Sequence, residues 1–219
     1  MDAEVLEYLR KICPKKTYHP GEIIFSQGED ATEMYYLEHG LSLTYSILED
    51  GRERNILISW PGRIFGASTI FEQVPRRASA IALKRCEVLV IGRAAYMDCC
   101  EKCPRFRTDM IIELSRDIGI LFEELVDSSL LTTEIKVARF LCRRMVKGQH
   151  TMVDGRFNLK YTQDFIANVL GISRLSVNQS LSSLSGMGYI STSYGSITIL
   201  QPETLRSYAY GGSHSSPAG

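Results

Sequence analysis

Between Thr17 and Gly92 the chain is cut at short, regular intervals by turn-forming groups: HPG, QGED, EHG, EDG, WPG and FG. The runs between them, EIIF, MYYL, LSLTYSIL, RNILISW, SAIAL and EVLVI, are short and rich in β-branched and aromatic residues. Several short strands with turns spaced this way predict an all-β barrel or sandwich, a jelly-roll β-barrel. A short amphipathic helix ending near Pro14 precedes it. From Arg93 onward the apolar spacing becomes helical, with a break at Pro104 and then a helix of about 25 residues.

That helix carries Ile111, Leu114, Ile118, Leu121 and Leu125 at alternating steps of three and four. Such spacing marks a narrow a/d seam rather than the wider stripe of a helix lying on a sheet, and predicts a homodimer through a parallel coiled coil. The alternative is a core-facing helix in a monomer.

Beyond a hinge at Ser128 to Thr133, the order of signals is helix, strand, helix, short turn, helix, hairpin. The segments are EIKVARFLCRRMVKG ending at Gly148, RFNLKY, TQDFIANVLG, SRLSVNQSLSSLSGMG and YISTSYGSITIL with its turn at Tyr194-Gly195. This is the order of a winged helix-turn-helix. The predicted class is therefore α+β: effector-sensing roll with flanking helices at 1–103, dimerisation helix and hinge at 104–132, winged helix-turn-helix at 133–208. A Ser/Gly/Pro-rich tail at 209–219 is expected to be disordered.

The formal charge of zero conceals an asymmetry. From residue 133 onward there are nine Lys/Arg and four Asp/Glu, so that part carries +5 and residues 1–132 carry −5. A basic module joined to an acidic one points to a polyanion meeting only the second half.

In the helix-turn-helix, Thr162 is placed as an N-cap, with Ile166 and Leu170 facing inward and Gly171 making the turn. In the second helix, Val177, Leu181 and Leu184 fall on one side, so Leu175, Gln179 and Ser182, flanked by Ser176, Asn178 and Ser183, point away from it. Short amide and hydroxyl side chains suit a DNA groove better than simple solvation. Ser173 and Arg174 begin the helix where a phosphate is favoured. The predicted DNA-binding set is Thr162, Gln163, Ser173, Arg174, Leu175, Ser176, Asn178, Gln179 and Ser182. Gln or Asn binds adenine and Leu touches a thymine methyl, so the half-site is expected to lean to A/T.

HPGEIIFSQGEDATEMYYLEHGLSLTYSILEDGRE, IFGAS followed by PRRAS, the long helix after Pro104 and TQDFIANVLGISRLSVNQSL together resemble the CRP/FNR family of bacterial transcription regulators, over nearly the whole chain. The resemblance implies a homodimer binding a palindromic site on double-stranded DNA, a small-molecule effector in the roll, and contact with RNA polymerase if the protein is an activator. It also implies an effector set of Gly66, Ala67, Arg77, Ala78, Ser79, Leu121 and Phe122, with Arg77 in the place of the arginine that holds a cyclic phosphate. Two departures stand out: Ala67 replaces the ribose-binding carboxylate, and Leu121 and Phe122 replace hydroxyl residues that meet the adenine. A cation beside an apolar helix face suits a small organic anion rather than cyclic AMP. The alternative is that Arg77 is a surface or structural arginine. On the recognition helix, Leu175 and Gln179 stand where the family commonly has Glu and Arg, so the operator is expected to differ.

Six cysteines form no regular framework, which favours reduced thiols. Cys99, Cys100 and Cys103 read first as small helix residues, and alternatively as a zinc or redox site. Haem ligation by His19, His39 or His150 finds no support in their spacing, His214 makes no metal site, and no cofactor is expected. A regulatory module without DNA output would share the roll but not the basic second half. No phosphate loop, nucleophile elbow or metalloprotease helix points to an enzyme. The start MDAEVLEYLRKIC lacks the pattern of a secretory signal, and no run approaches the ~20 apolar residues of a membrane span. A cytoplasmic protein with no membrane contact is expected.

Overall fold

The six runs between the turn signals form four strands, because two pairs of runs merge, and two further strands of the same sheet form outside those runs. The computed structural model describes residues 1–49, 51, 53–145, 151–153 and 156–211, and divides into two units, Met1–Glu124 and Leu125–Gly219.

The first unit opens with α1 (Ala3–Ile12), capped by the Asp2 side chain accepting from Glu4 N, with Val5 and Leu9 buried. β1 (Lys15–Tyr18), β2 (Ile23–Phe25), β3 (Glu33–Ile47), β4 (Glu53–Ser59) and β5 (Ile64–Phe65) follow. Then come α2 (Ser68–Glu72), β6 (Ser79–Gly92), α3 (Arg93–Lys102) and α4 (Arg105–Leu130). The antiparallel sheet runs β1-β6-β3-β4, with β2 also on β6 and β5 on β3, an open β-roll. Unlike the expected turn, Glu38-His39-Gly40 lies inside β3, where the register against β6 shifts three times. Bulges absorb the turn-like residues there. A Cβ at Gly40, whose φ is +100°, would stand 2.2 Å from the Arg85 carbonyl, so only glycine admits β6 this closely. SAIAL and EVLVI likewise merge into β6. The strand at Lys15–Tyr18 escaped the sequence reading because it is a charged edge with only Tyr18 buried.

Two apolar cores result. Val5, Leu9, Met34, Leu89, Ile91, Phe106 and Met110 pack where α1, α3 and α4 meet the sheet. Tyr18, Phe25, Tyr35, Leu37, Phe65 and Val88 fill the roll itself. α4 thus divides its apolar residues. Phe106, Met110 and Leu114 pack on the roll core, whereas Ile111, Ile118, Leu121, Phe122 and Leu125 are exposed. Leu114, half-buried, thus lies against the roll core while the other seam residues stand in solvent.

The second unit contains α5 (Thr133–Arg144), β7 (Thr151–Val153), β8 (Arg156–Leu159), α6 (Gln163–Leu170), α7 (Arg174–Gly186), β9 (Ile190–Ser193), β10 (Ser196–Ile199) and α8 (Pro202–Tyr210). Its sheet order is β7-β8-β10-β9. Because α4 continues to Leu130 and Thr132 already caps α5, the expected hinge shrinks to Leu131 and Thr132. The tail is shortened too. Pro202 starts α8, Leu205 and Ala209 bury one face, and Gly211 caps it, so positions 209 and 210 are helical. The readings that involve Lys147, Gly148, His150, Asp154 and His214 lie outside the described residues.

Candidate nucleic-acid interface and effector site

Local chemistry builds the helix-turn-helix directly. Thr162 caps α6 by accepting from Phe165 N at 3.1 Å. Gly171, at φ +62°, ends α6 in the left-handed conformation that a side chain resists, and the chain turns there. Ser173 caps α7 by accepting from Ser176 N at 3.0 Å. Val177, Leu181 and Leu184 are buried, as their spacing predicts, and Ile166 with them, while Leu170 is only half-buried.

The opposite face of α7 is open. Leu175 is 65% exposed, and Arg174, Asn178, Gln179, Ser182 and Ser183 are exposed beside it. Ser176 is half-buried, its carbonyl accepting from the buried Ser180 hydroxyl at 2.8 Å. Two polar links tie α6 to α7. Gln163 Nε2 donates to Asn178 Oδ1 at 3.1 Å, and Arg174 Nε lies 3.4 Å from Asp164. With its oxygen so engaged, Asn178 offers its amide NH2 outward as a donor. The predicted set from Thr162 to Ser182 is therefore brought together on two helices.

The positive charge of the second half serves folding as well as DNA. Arg139 Nε donates to the Ala209 carbonyl at 2.9 Å, with its guanidinium over the Tyr210 ring. Arg144 is half-buried, and desolvation brings its pKa down to about 10.

In the roll the buried arginine is Arg76, 4% exposed. Arg76 Nη1 donates to Gly66 O at 2.6 Å, Nη2 donates to Glu33 O, and the guanidinium lies 4.2 Å from the centre of the Phe25 ring. Phe25 stacks in turn on Tyr35 and Phe65. The buried Arg76 Nε has no acceptor among the described residues. Arg77 is exposed and pairs with Glu72 at the end of α2, at 2.5 and 3.0 Å. Both arginines precede β6, which begins at Ser79, and there one position separates an internal brace from a surface cation. Ala67 is buried at the start of α2, Ala78 is half-buried, and the buried Ser79 hydroxyl accepts from Gln27 N at 2.9 Å. Leu121 and Phe122 are exposed on α4, outside the residues packed on the roll core.

Cys13, Cys99, Cys100 and Cys103 sit together in the core beneath α1 and α3. Burial lifts the Cys13 thiol to about 11 and, with the neighbouring thiols, Cys99 to about 12. Among the described residues no group of three His, Cys, Asp or Glu is placed to hold a metal, and no helix is long and apolar enough to cross a membrane.

A roll joined to a capped helix-turn-helix with a β-hairpin wing defines a DNA-binding regulator with a nucleotide-binding type of sensor domain. The family described as cyclic nucleotide-binding domain matches residues 15–103, and the Crp-like helix-turn-helix domain matches residues 135–208. The chain belongs to the CRP/FNR family of transcription regulators. It is 24% identical to the cyclic AMP receptor protein of Thermus thermophilus, over 90% of this chain and 88% of that one. It is 26% identical to the CRP-like cAMP-activated global transcriptional regulator of Mycobacterium tuberculosis, over 84% and 83%. The fold is similar to that of FixK2 from Bradyrhizobium japonicum, with a TM-score of 0.73, 21% identity, and coverage of 89% and 96%.

Proposed function

We propose that the protein acts in the cytoplasm as a homodimeric transcription regulator that binds a palindromic operator and responds to a small organic anion rather than to cyclic AMP. The observation that carries the DNA reading is the outward face of α7: Leu175, Asn178, Gln179 and Ser182 are open to solvent on a helix fixed by its Ser173 cap and by the Gln163–Asn178 bond. Dimerisation is supported by Ile111, Ile118, Leu121 and Leu125, which leave a run of large apolar groups exposed along α4. Two copies related by a two-fold axis read two inverted half-sites. RNA polymerase is a partner if the protein activates.

For the effector, support comes from the buried Ala67, which supplies no carboxylate for a ribose, and from Arg77, whose exposed guanidinium is held by Glu72 and exchanges that carboxylate for one on a ligand. A cyclic nucleotide is the second reading, favoured by the match of the roll to the cyclic nucleotide-binding domain and by the orphaned Arg76 Nε. Calorimetry against aromatic acids and cyclic AMP separates them, and tight cyclic AMP binding overturns the first.

Selection of bound DNA from a random pool, with and without cell extract, tests operator and effector dependence together. Enrichment of an inverted repeat is expected. Failure to enrich any two-fold symmetric sequence under either condition overturns the regulator reading.

A further inference from the structure

From Leu175 to Pro202 the sequence contains no charged residue, and this stretch holds the recognition helix after its first residue, Arg174, and the whole wing. The hairpin therefore has no cation with which to meet DNA by charge. It carries instead Ser191, Thr192 and Ser193, all exposed, and at its apex Tyr194, whose relative exposure of 106% exceeds that of every other exposed large hydrophobic side chain among the described residues. An aromatic ring held fully in water at a hairpin tip adds nothing to the core. The tip is not remote from the reading face: a groove of about 210 Å³ runs between it and the helix-turn-helix, lined by Thr162, Asp164, Arg174, Thr192, Ser193 and Tyr194. Asp164, the carboxylate in that lining, is already paired with Arg174.

We propose that Tyr194 enters the minor groove flanking the major groove read by α7, and that the Arg174, Thr192 and Ser193 side chains on the rim of the groove behind it seat the phosphodiester between the two. The inference rests on the DNA-binding reading above and adds a contact that the recognition helix cannot make. In the minor groove an A·T pair presents only acceptors, A N3 and T O2, while G·C adds the guanine amino donor. The phenol of Tyr194 donates to those acceptors, and its ring lies along the apolar sugar wall. The wing thus selects A·T at the operator flank by hydrogen bonding and shape, not by charge. Arg174 supplies the cation for the phosphate, and the Thr192 and Ser193 hydroxyls complete its shell.

The test uses the full-length wild type with the Tyr194→Ala and Tyr194→Phe variants; since the side chain is fully exposed, thermal unfolding of both is expected to match wild type. Each is taken through random-pool selection, then titrated on the wild-type operator across a range of salt. Tyr194→Ala is expected to lose roughly tenfold in affinity, the scale of one lost contact in a protein–DNA interface, and to lose A·T enrichment at the flank while keeping the central half-site sequence. Its slope of log affinity against log salt stays that of wild type, because no cation is removed. Tyr194→Phe keeps part of the affinity and loses the A·T preference. If wild type selects an operator and Tyr194→Ala matches it in affinity and flank preference, the wing inference is overturned and the regulator reading stands. A changed salt slope in Tyr194→Ala also overturns it, and a wild type that enriches no symmetric sequence takes both readings down.

Discussion

Arg63, in the turn between β4 and β5, lies 2.5 Å from Glu113 of α4 through its Nε, and the same guanidinium reaches Asp117 at 2.6 Å through Nη2. One cation thus fastens the roll to the helix that leads out of it. Glu113 is 4% exposed and is shared with Arg116 at 2.8 Å. Removing Arg63 leaves a buried carboxylate with only an exposed partner. Arg63→Ala is expected to cost about 3 kcal/mol, near the lower end for a broken buried pair because Arg116 remains. Denaturant unfolding of the variant checks it.

Asp117 makes the same joint sensitive to pH. Burial, and secondarily the charge of Glu113, lift its pKa from 3.8 to about 6 against the opposing pull of Arg63. Between those values the folded chain holds a proton that the unfolded chain has released. Asp117 therefore contributes stability on the acid side that is lost as pH rises through about 6. Urea midpoints measured at pH 5 and pH 7 should differ less for Asp117→Asn than for wild type. An unchanged difference would sink this account.

The two adjacent arginines of PRRAS should separate cleanly. Arg76→Ala removes two hydrogen bonds to the Gly66 and Glu33 carbonyls and the cation over Phe25. A loss of about 2–4 kcal/mol is expected from carbonyls left unpaired in the interior. Arg77→Ala breaks only an exposed pair with Glu72 and should unfold within error of wild type. Thermal unfolding of the two variants side by side gives the answer.

The thiols should be silent in the native protein. All six cysteines are buried and free, and burial is the first cause holding Cys13 at about 11 and Cys99 and Cys142 at about 12. At pH 8 a thiolate reagent is expected to label the folded chain slowly and all six positions rapidly in urea. Fast labelling of Cys99 or Cys103 in the native protein would revive the redox reading.

At the DNA interface, specificity and affinity should come from different side chains. Gln179→Ala is expected to relax the preference at one base pair of each half-site, by about 1–3 kcal/mol. Arg174→Ala should weaken binding to all sequences alike and lower the salt slope by about 1. Binding-site selection and salt titration on the same two variants distinguish these roles.

The helix-turn-helix was legible in the sequence because its signals are local. Thr162, Gly171 and Ser173 each fix a chain end through backbone chemistry within a few residues, and Val177, Leu181 and Leu184 mark the buried side by spacing alone. The roll was legible as β structure but not in detail. Glu38-His39-Gly40 has the composition of a turn, and only its pairing with distant β6 makes it a bulge. Whether Arg76 or Arg77 turns inward depends on the course of the bend between α2 and β6, which composition leaves undetermined. Leu114 shares its heptad spacing with Ile111 and Ile118, yet it packs on a core to which distant residues such as Val5, Leu9 and Met34 contribute. The sequence marks Tyr194 as the turn of the wing, but Thr192, Ser193 and Tyr194 carry no charge to mark them as DNA contacts, and the uncharged run itself is the available clue.

That run also separates two tasks along the genome. Counterion release governs how long the protein stays on unrelated DNA while it searches, and the cations responsible lie outside the stretch from Leu175 to Pro202. Osmotic stress that raises cellular potassium would shorten each scanning episode and slow the arrival at a target gene. The choice among targets, resting on amides, hydroxyls and rings, would stay the same.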